Sequence, residues 1–492
     1  MKPYYNFIGD KMLVKNENYI IDIESVTQEG MGVGRIDGFV VFTYGLLPGE
    51  KAQVKIIKLT KSYAIGKLLD IITASPNRLE SPVCHAYPQC GGCCFCHVDY
   101  KSQLDFKTQY VKDCLERIGR LDVHSIEFVS TFGMQEPKEY RNKYTYVFTE
   151  NNGKIDCGFY AANSHRVVAI DGCIIETKQA RLTRLAMTEF VNIKNLSVYN
   201  EMSGKGLLRN LMVRFGDTDV CVIVVINGKK FPFTNEFINY MREKCPWITS
   251  LFVNINTIRT NVVLGETFHL LYGKSYMDAS IGSSRYKVSP QAFFQINPLQ
   301  TKVLYDKVYN LSGVQDGDTI YDLFCGAGTI GIYVKNRFLS ENPDSKLHLI
   351  GVEYVPEAVE NARENAALNG LDNCRFYAGD ATVVTPQIIA QEQKMPDLVI
   401  VDPPRSGLDE KLLDTVCLTG AKRVVYVSCN PSTMARDVKY LTAGGYCVKK
   451  VEMVDMFPWT GHVESVVCLS REKADDYICI SVQTKDLQTK AN

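Results

Sequence analysis

Three short stretches in the last third of the chain carry residue types that do chemistry. Asp402-Pro403-Pro404 follows the apolar run DLVIV, and Ser428-Cys429-Asn430-Pro431 follows RVVYV. Cys325-Gly326-Ala327-Gly328-Thr329-Ile330-Gly331 follows TIYDLF, and an acid, Glu353, ends the next apolar run, LHLIGVE. Glycines at this spacing let the backbone turn tightly and approach a ligand at a helix N-terminus. An acid at the end of the next strand can accept hydrogen bonds from both hydroxyls of a ribose, which suits a nicotinamide dinucleotide and S-adenosylmethionine (SAM) equally. The two later strand ends separate these candidates. In a parallel sheet the carboxyl ends of the strands face one crevice, so Gly326 to Gly331, Glu353, Asp402 and Cys429 surround one site. A nicotinamide enzyme has no need of an acid-Pro-Pro and a cysteine there. A methyltransferase acting on a nucleobase does.

A second concentration of reactive side chains lies upstream. Cys84, Cys90, Cys93, Cys94 and Cys96 are five of the 17 cysteines and fall in the turn-rich residues 73–97. That segment is weakly hydrophobic and offers little core in which to hide five thiols. Cys84-x5-Cys90-Gly91-Gly92-Cys93 puts three thiols on one loop, and a metal or cluster site needs a fourth. Spacing alone does not separate tetrahedral zinc from a four-iron cluster. Most of the other cysteines are expected to be small buried hydrophobes.

These groups need scaffolds to hold them. The chain has 492 residues. Domains run to roughly 100–200 residues each, which makes about three here. The composition is 46% apolar and 22% charged, as in soluble globular proteins. Lys+Arg and Asp+Glu both total 55, which excludes a histone-like blanket of positive charge and leaves room for a local basic stripe. No apolar run approaches the roughly 18–20 residues that span a membrane. MKPYYNFIGDKMLVKN has no apolar core of a signal peptide, so a cytoplasmic protein without a membrane partner is expected. Residues 11–72 alternate β-branched runs with Gly and Asp-Gly turns, which predicts a small barrel of hairpins. Lys51 to Lys67 holds five lysines and no acid, either a solvated face or a surface that tracks an RNA backbone. Residues 98–119 are helical through Leu104, Val111, Leu115 and Ile118. Residues 138–285 mix short β runs with helices, as an α+β domain does. From about residue 290, strand–helix alternation predicts a doubly wound parallel sheet. A polar tail follows residue 472.

EGMGVGRIDGFVVFTYGLLPGE and KSYAIGKLLDI resemble a TRAM domain, a small OB-like barrel appended to RNA-modifying enzymes. SPQAFFQIN, DLFCGAGTIGI, GVEYVPEAVENARENAALNG, VDPPRSGL, YVSCNPSTMARD and MFPWTGHVESV occur in that order. Together they resemble the RNA uracil-5-methyltransferase family, in its TRAM-containing iron–sulfur branch of the 23S ribosomal RNA uridine-C5 type, over roughly residues 11–470. The resemblance implies a multi-domain chain: a TRAM barrel at 11–72, a central α+β domain with an iron–sulfur loop at 73–285, a Rossmann-like SAM-dependent methyltransferase domain at 286–472, and a tail at 473–492.

It also implies a chemistry. A thiolate adding to carbon 6 of uracil makes carbon 5 nucleophilic; a base then removes the carbon-5 proton after methylation. By resemblance Cys429 is the nucleophile, at a strand end where a thiol can be exposed and its pKa lowered, and Glu464 is the base. Gln295, Phe324, Thr329, Glu353, Asp380 and Asp402 match SAM-contacting positions, Asp402 also lying next to the base. Cys84, Cys90, Cys93 and Cys173 match the ligands of a [4Fe–4S] cluster; Cys94 and Cys96 depart from the usual pattern. Arg141 and Lys143 match a stretch near the RNA path. A uracil in folded RNA must be flipped or splayed to be reached, and Phe457 and Trp459 either line that pocket or fill core. The implied partner is structured RNA, 23S ribosomal RNA first and the T loop of transfer RNA as the alternative, acted on by a monomer. A more remote alternative, an exocyclic-amine methyltransferase, has no use for Cys429. A non-catalytic RNA-binding protein has no use for Gln295, Asp402, Cys429 and Glu464 together.

Overall fold

A computed structural model describes residues 13–471, so the tail at 473–492 lies outside the described residues. Five strands, β1 (Asn18–Val26), β2 (Met31–Ile36), β3 (Phe39–Tyr44), β4 (Lys51–Leu59) and β5 (Ala64–Thr73), close into a barrel in the order β1-β2-β3-β5-β4. Closure follows from period-two alternation. In β4, Ala52, Val54 and Ile56 are fully buried, while Lys51 and Lys58 face water. Closure also removes free strand edges.

An irregular cysteine loop leads to α1 (Tyr100–Arg117), capped by Asp99, whose side chain accepts from the Ser102 amide at 3.1 Å. The short β6 (Glu127–Phe128) follows. Next comes a seven-stranded sheet in the order β13-β12-β11-β10-β7-β8-β9. Its strands are β7 (Lys143–Asn151), β8 (Lys154–Tyr160), β9 (Val167–Ala169), β10 (Leu208–Phe215), β11 (Val220–Ile226), β12 (Ser250–Ile255) and β13 (Thr267–Gly273). Helices α2 (Lys178–Ile193) and α3 (Thr234–Lys244) cover one face. β11 reads VCVIVVI and is buried throughout, because both of its faces are covered. Val222 and Val224 face the helices, whereas Cys221 and Ile223, with Met212 and Phe252, pack into the core of the C-terminal unit.

That unit begins with a hairpin, β14 (Met277–Ile281) and β15 (Ser284–Val288), and α4 (Pro298–Ser312). β16 (Thr319–Leu323), α5 (Thr329–Glu341), β17 (His348–Glu353), α6 (Pro356–Leu368), β18 (Cys374–Ala378), α7 (Ala381–Glu392), β19 (Leu398–Val401), α8 (Glu410–Leu418), β20 (Arg423–Ser428) and α9 (Pro431–Ala443) alternate as expected. β21 (Tyr446–Val454) and β22 (Glu464–Arg471) finish it. The sheet order is β18-β17-β16-β19-β20-β22-β21-β6, with β22 antiparallel to both neighbours. This is the Rossmann-like methyltransferase fold.

Two elements expected in the central unit are built into this sheet. β6 pairs parallel with β21. Helix α1 buries Val111, Cys114 and Leu115 in the core beneath α9, and Tyr110 Oη meets Ser432 Oγ at 3.0 Å. Among the described residues no helix is long and apolar enough to cross a membrane.

Candidate active site

β17 and β18 lie on one side of β16, and β19 and β20 lie on the other. The chain reverses strand order there, and a ligand crevice belongs at the carboxyl ends of such strands. A cavity of about 690 Å³ opens at that place, within the size range of small-ligand sites. Gln295, Phe324, Thr329, Glu353, Asp402, Cys429 and Glu464 all line it, and so does Phe457.

The glycine turn forms the floor. Gly326 and Gly328 sit at φ 54° and 77°, left-handed angles that a side chain resists. Phe324 is left-handed too, at φ 66°, a conformation that costs an ordinary residue about 1–3 kcal/mol and clusters at functional sites. The Glu353 carboxylate is held in advance, because its two oxygens accept from the Gly326 amide at 3.1 Å and the Val355 amide at 3.0 Å. The Thr329 hydroxyl is engaged with Tyr305 Oη at 2.9 Å. Asp380 is not among the lining residues. It caps α7, taking the Thr382 amide at 2.8 Å and the Thr382 hydroxyl at 2.7 Å. Its neighbour Gly379 donates to the Glu353 carbonyl at 2.9 Å, so Asp380 stands beside the cavity at the next strand end.

The reactive end gathers groups distant in sequence. Ser428 pairs with Ser465 across β20 and β22, which brings Glu464 to the strand end that carries Cys429. Asn430 Nδ2 donates to the Arg405 carbonyl at 2.9 Å, tying the Cys429 turn to the loop after Asp402. Glu464 is 4% exposed, and burial, with the nearby Asp402 charge, pushes its carboxyl up to about 8. Burial pushes Asp402 up to about 7.

The thiol of Cys429 corrects the expectation of a lowered pKa. Burial, then Glu464 and Asp402, push it up to about 11, with Arg405 pulling the other way as a charge and hydrogen-bond partner. A strand end exposes a thiol only when its surroundings are open. Here the surroundings are apolar walls and two carboxyls.

Two lining residues were not legible as functional. Asp322 is 1% exposed, and its Oδ2 accepts from the Gly331 amide at 2.9 Å, while Oδ1 has no partner. Burial pushes it up to about 7. The available signal was an acid inside the apolar run TIYDLF. Arg405, directly after the prolines, is exposed at the cavity rim.

Trp459 does not line this cavity. It is 5% exposed and sits in a separate apolar nest with Cys96, Met134, Tyr140 and Ile175. That nest borders a second, small cavity of about 50 Å³, ringed by Cys84, Cys90, Cys93, Cys96 and Cys173. Cys94 does not join the ring. It turns toward the barrel and packs with Leu47, Phe95 and Val98. Cys96 instead stands in the ring beside Cys84 and Cys93. Arg141 lines the same cavity, and its buried Nε has no partner. Lys143 is pushed down to about 8 by burial and the neighbouring Arg214 and Arg141. Among the described residues no group of three or more His, Cys, Asp or Glu side chains converges as a metal ion's ligands do. The thiols line a hollow rather than meet at a point.

Residues 272–472 match the family described as tRNA (Uracil-5-)-methyltransferase, and residues 15–69 match the TRAM domain. Proteins named uncharacterized RNA methyltransferases from Clostridium acetobutylicum and Halalkalibacterium halodurans are 40% and 39% identical to this chain. The alignments span 93% and 92% of this chain and 98% and 97% of theirs. Among solved structures, the Pyrococcus abyssi tRNA (uracil-54, C5)-methyltransferase in complex with S-adenosyl-L-homocysteine is similar at 27% identity with a TM-score of 0.70. That similarity covers 91% of this chain and 99% of the other.

Proposed function

The chain belongs to the RNA uracil-5-methyltransferase family and is an RNA methyltransferase with a TRAM barrel, and from that premise we propose that it methylates carbon 5 of a uridine in structured RNA, with SAM as donor and 23S ribosomal RNA as substrate. The observation that carries this reading is the meeting of Cys429, Glu464 and Asp402 in one cavity with the glycine turn and Glu353.

When bound, SAM supplies an electrophilic methyl group on a sulfonium. Glu353 accepts the ribose hydroxyls without reorganising, since backbone amides already hold it. Asp322 Oδ1 offers an unpaired acceptor suited to a cationic amino group. Gln295, Phe324 and Thr329 complete the cofactor wall, and Asp380 closes it from the next strand end.

Cys429 is protonated before RNA binds. As Sγ bonds to carbon 6, the thiol proton leaves to the Asp402 carboxylate, and the electron pair of the carbon 5–carbon 6 bond makes carbon 5 nucleophilic. Once carbon 5 carries the methyl group, Glu464 in its ionised form, which its value of about 8 leaves accessible, takes the carbon-5 proton. The carbon 6–sulfur bond then breaks, the double bond re-forms, and the departing sulfur takes back the proton held by Asp402, which restores the thiol. Arg405 steadies the sulfur while it is anionic. The target base must leave its stack to reach Sγ, and Phe457 offers it an aromatic wall.

Cys84, Cys90, Cys93 and Cys173 fit a [4Fe–4S] cluster. Four thiols around a hollow suit a cluster better than a single ion, and the unpartnered Arg141 Nε supplies a donor for an anionic group. Such a cluster would cross-link the cysteine loop to residue 173, and the methyl transfer needs no electron from it. Cys96 then stays a neighbour of the ligand sulfurs in the cavity wall rather than replacing one.

Mapping 5-methyluridine in RNA from a strain lacking the gene tests the substrate. Loss from 23S ribosomal RNA is expected. Loss from the T loop of transfer RNA alone would favour that alternative, which the tRNA enzyme of similar fold keeps in view. Loss of a methylated exocyclic amine would overturn the uridine reading.

A further inference from the structure

Between β21 and β22 runs the segment 455–463, which delivers Phe457 and Glu464 to the catalytic cavity. A free loop of this length would place neither. Helix α4 holds its start, with Gln300 Nε2 donating to the Asp455 carbonyl and Asn297 Nδ2 to the Met456 carbonyl, both at 3.1 Å, and its remaining anchors come from α1, the central unit and the cysteine loop. Asp455 is buried and receives Lys107 Nζ at 2.6 Å and Tyr100 Oη at 2.8 Å, both from α1. Lys107 Nζ also donates to the Phe457 carbonyl at 3.2 Å, and Tyr140 Oη donates to the Pro458 carbonyl at 3.1 Å.

Trp459 then gathers the strongest set. Its carbonyl accepts from the amides of both Cys94 and Phe95 at 3.0 Å, its own amide donates to Gln103 Oε1 at 3.1 Å, and Nε1 donates to the Pro137 carbonyl at 2.6 Å. Its backbone is left-handed, at φ 68°. A bulky residue adopts such an angle only when its surroundings hold it there. The ring lies in the nest formed with Cys96 and bordered by Cys84, Cys93 and Cys173. Two residues on, a Cβ added to Gly461 would come within 1.8 Å of the Gln28 carbonyl, so the segment also abuts the barrel.

We propose that the cysteine loop is the clamp of the catalytic segment and that Trp459 is its positioning residue: the state of the thiol cavity sets where Phe457 and Glu464 stand. The inference rests on the readings of Glu464 and of the cluster given above. It assigns that cluster a task in catalysis without an electron transfer. A filled cavity fixes the Cys93–Cys96 backbone, that backbone fixes the Trp459 carbonyl, and the strand that starts at Glu464 is thereby held. The first step depends on Cys429, which follows β20 and is not part of this chain of contacts. Displacing the segment should therefore slow proton removal from carbon 5 more than addition at carbon 6.

The test uses the full chain purified without oxygen, SAM with a labelled methyl group, and RNA from a strain lacking the gene. Trp459→Phe keeps most of the packing and loses the bond to Pro137; Tyr140→Phe removes one hydrogen bond and opens no cavity. Each should lower turnover, Trp459→Phe by about tenfold or more, while a methylated protein–RNA adduct accumulates and the KM for SAM stays put. Removing iron from the unsubstituted protein should do the same, and should add little in Trp459→Phe. A parallel fall in adduct, turnover and SAM binding would mean a merely structural role and would overturn the proposal, as would unchanged turnover. Glu464→Gln is the control. If it accumulates no adduct, the reading of Glu464 fails on its own. The clamp is then decided by backbone amide exchange of residues 455–463, which iron removal should speed about tenfold and which would stay unchanged were the proposal wrong. A protein isolated with neither iron nor sulfide would end the cluster reading, and the two aromatic variants would still decide the clamp.

Discussion

Cys429 and Glu464 act at opposite ends of the proposed reaction, so their variants should fail differently. Cys429→Ala should bind RNA and SAM yet form no adduct and no methylated base. Glu464→Gln should form the adduct, transfer the methyl group and stall, leaving a species that survives denaturing electrophoresis. Normal turnover by Glu464→Gln would make that carboxyl a bystander. The same carboxyl predicts a dependence of stability on pH. Its folded value, about 8, lies above the ordinary 4.5. Stability contributed by the protonated form is complete below about 4.5 and is lost as pH rises through about 8. Thermal melts of Glu464→Gln against the parent should show a gap that widens from pH 5 to pH 9, reaching on the order of 2–4 kcal/mol. A gap independent of pH would contradict a buried, raised carboxyl. Residue types at strand ends were legible in the sequence, because a parallel sheet sends strand ends to one crevice. The protonation of Cys429 was not, because Glu464 lies on a different strand and its approach depends on the β20–β22 register. Asp322 was hidden for a related reason: one acid in an apolar strand reads as an interruption until its unpaired oxygen is seen to border a cavity.

Among the elements, the barrel turned a run of lysines into a surface. β4 and β5 pair so that Lys55 stands directly opposite Lys67. Like charges in that position are unfavourable, by roughly 0.2–1 kcal/mol, unless an anion lies across them. The pair is suited to an RNA phosphate. Replacing both lysines with Gln should weaken RNA binding across sequences and flatten the salt dependence by about one to two phosphates, while the barrel keeps or gains stability. Unchanged salt dependence in a binding titration would return these lysines to an ordinary solvated face. The alternation that built the barrel was readable from KAQVKIIKL; the facing of Lys55 and Lys67 was not, since bulges in the β4–β5 ladder shift its register. Helix α1 was legible as a helix through Val111 and Leu115, but its partner was not. Periodicity says which face is apolar, and nothing in it says which core will receive that face.

At the scale of the molecule, the central and C-terminal units share a core, while the barrel keeps its own. The face of the central sheet that carries Met212, Ile223 and Phe252 is covered by the C-terminal unit. Residues 272–471 expressed alone should therefore expose the matching surface and aggregate or bind hydrophobic dyes, whereas the full chain should not. A soluble, cooperatively melting fragment would show that the shared core is dispensable.

The pairing of β6 with β21 and of α1 with α9 bears on how the protein is made. α1 and β6 emerge early from the ribosome, and their partners, α9 and β21, are among the last elements to follow. Synthesis runs at roughly 5–20 residues per second, so the wait lasts tens of seconds. During that time an apolar helix and one side of a sheet have no place to go. The barrel, whose contacts are local, can fold at once, while the middle of the chain has to wait for the end. Synthesis halted before Tyr446 would leave a nascent chain whose N-terminal unit is finished and whose remainder is a client for chaperones.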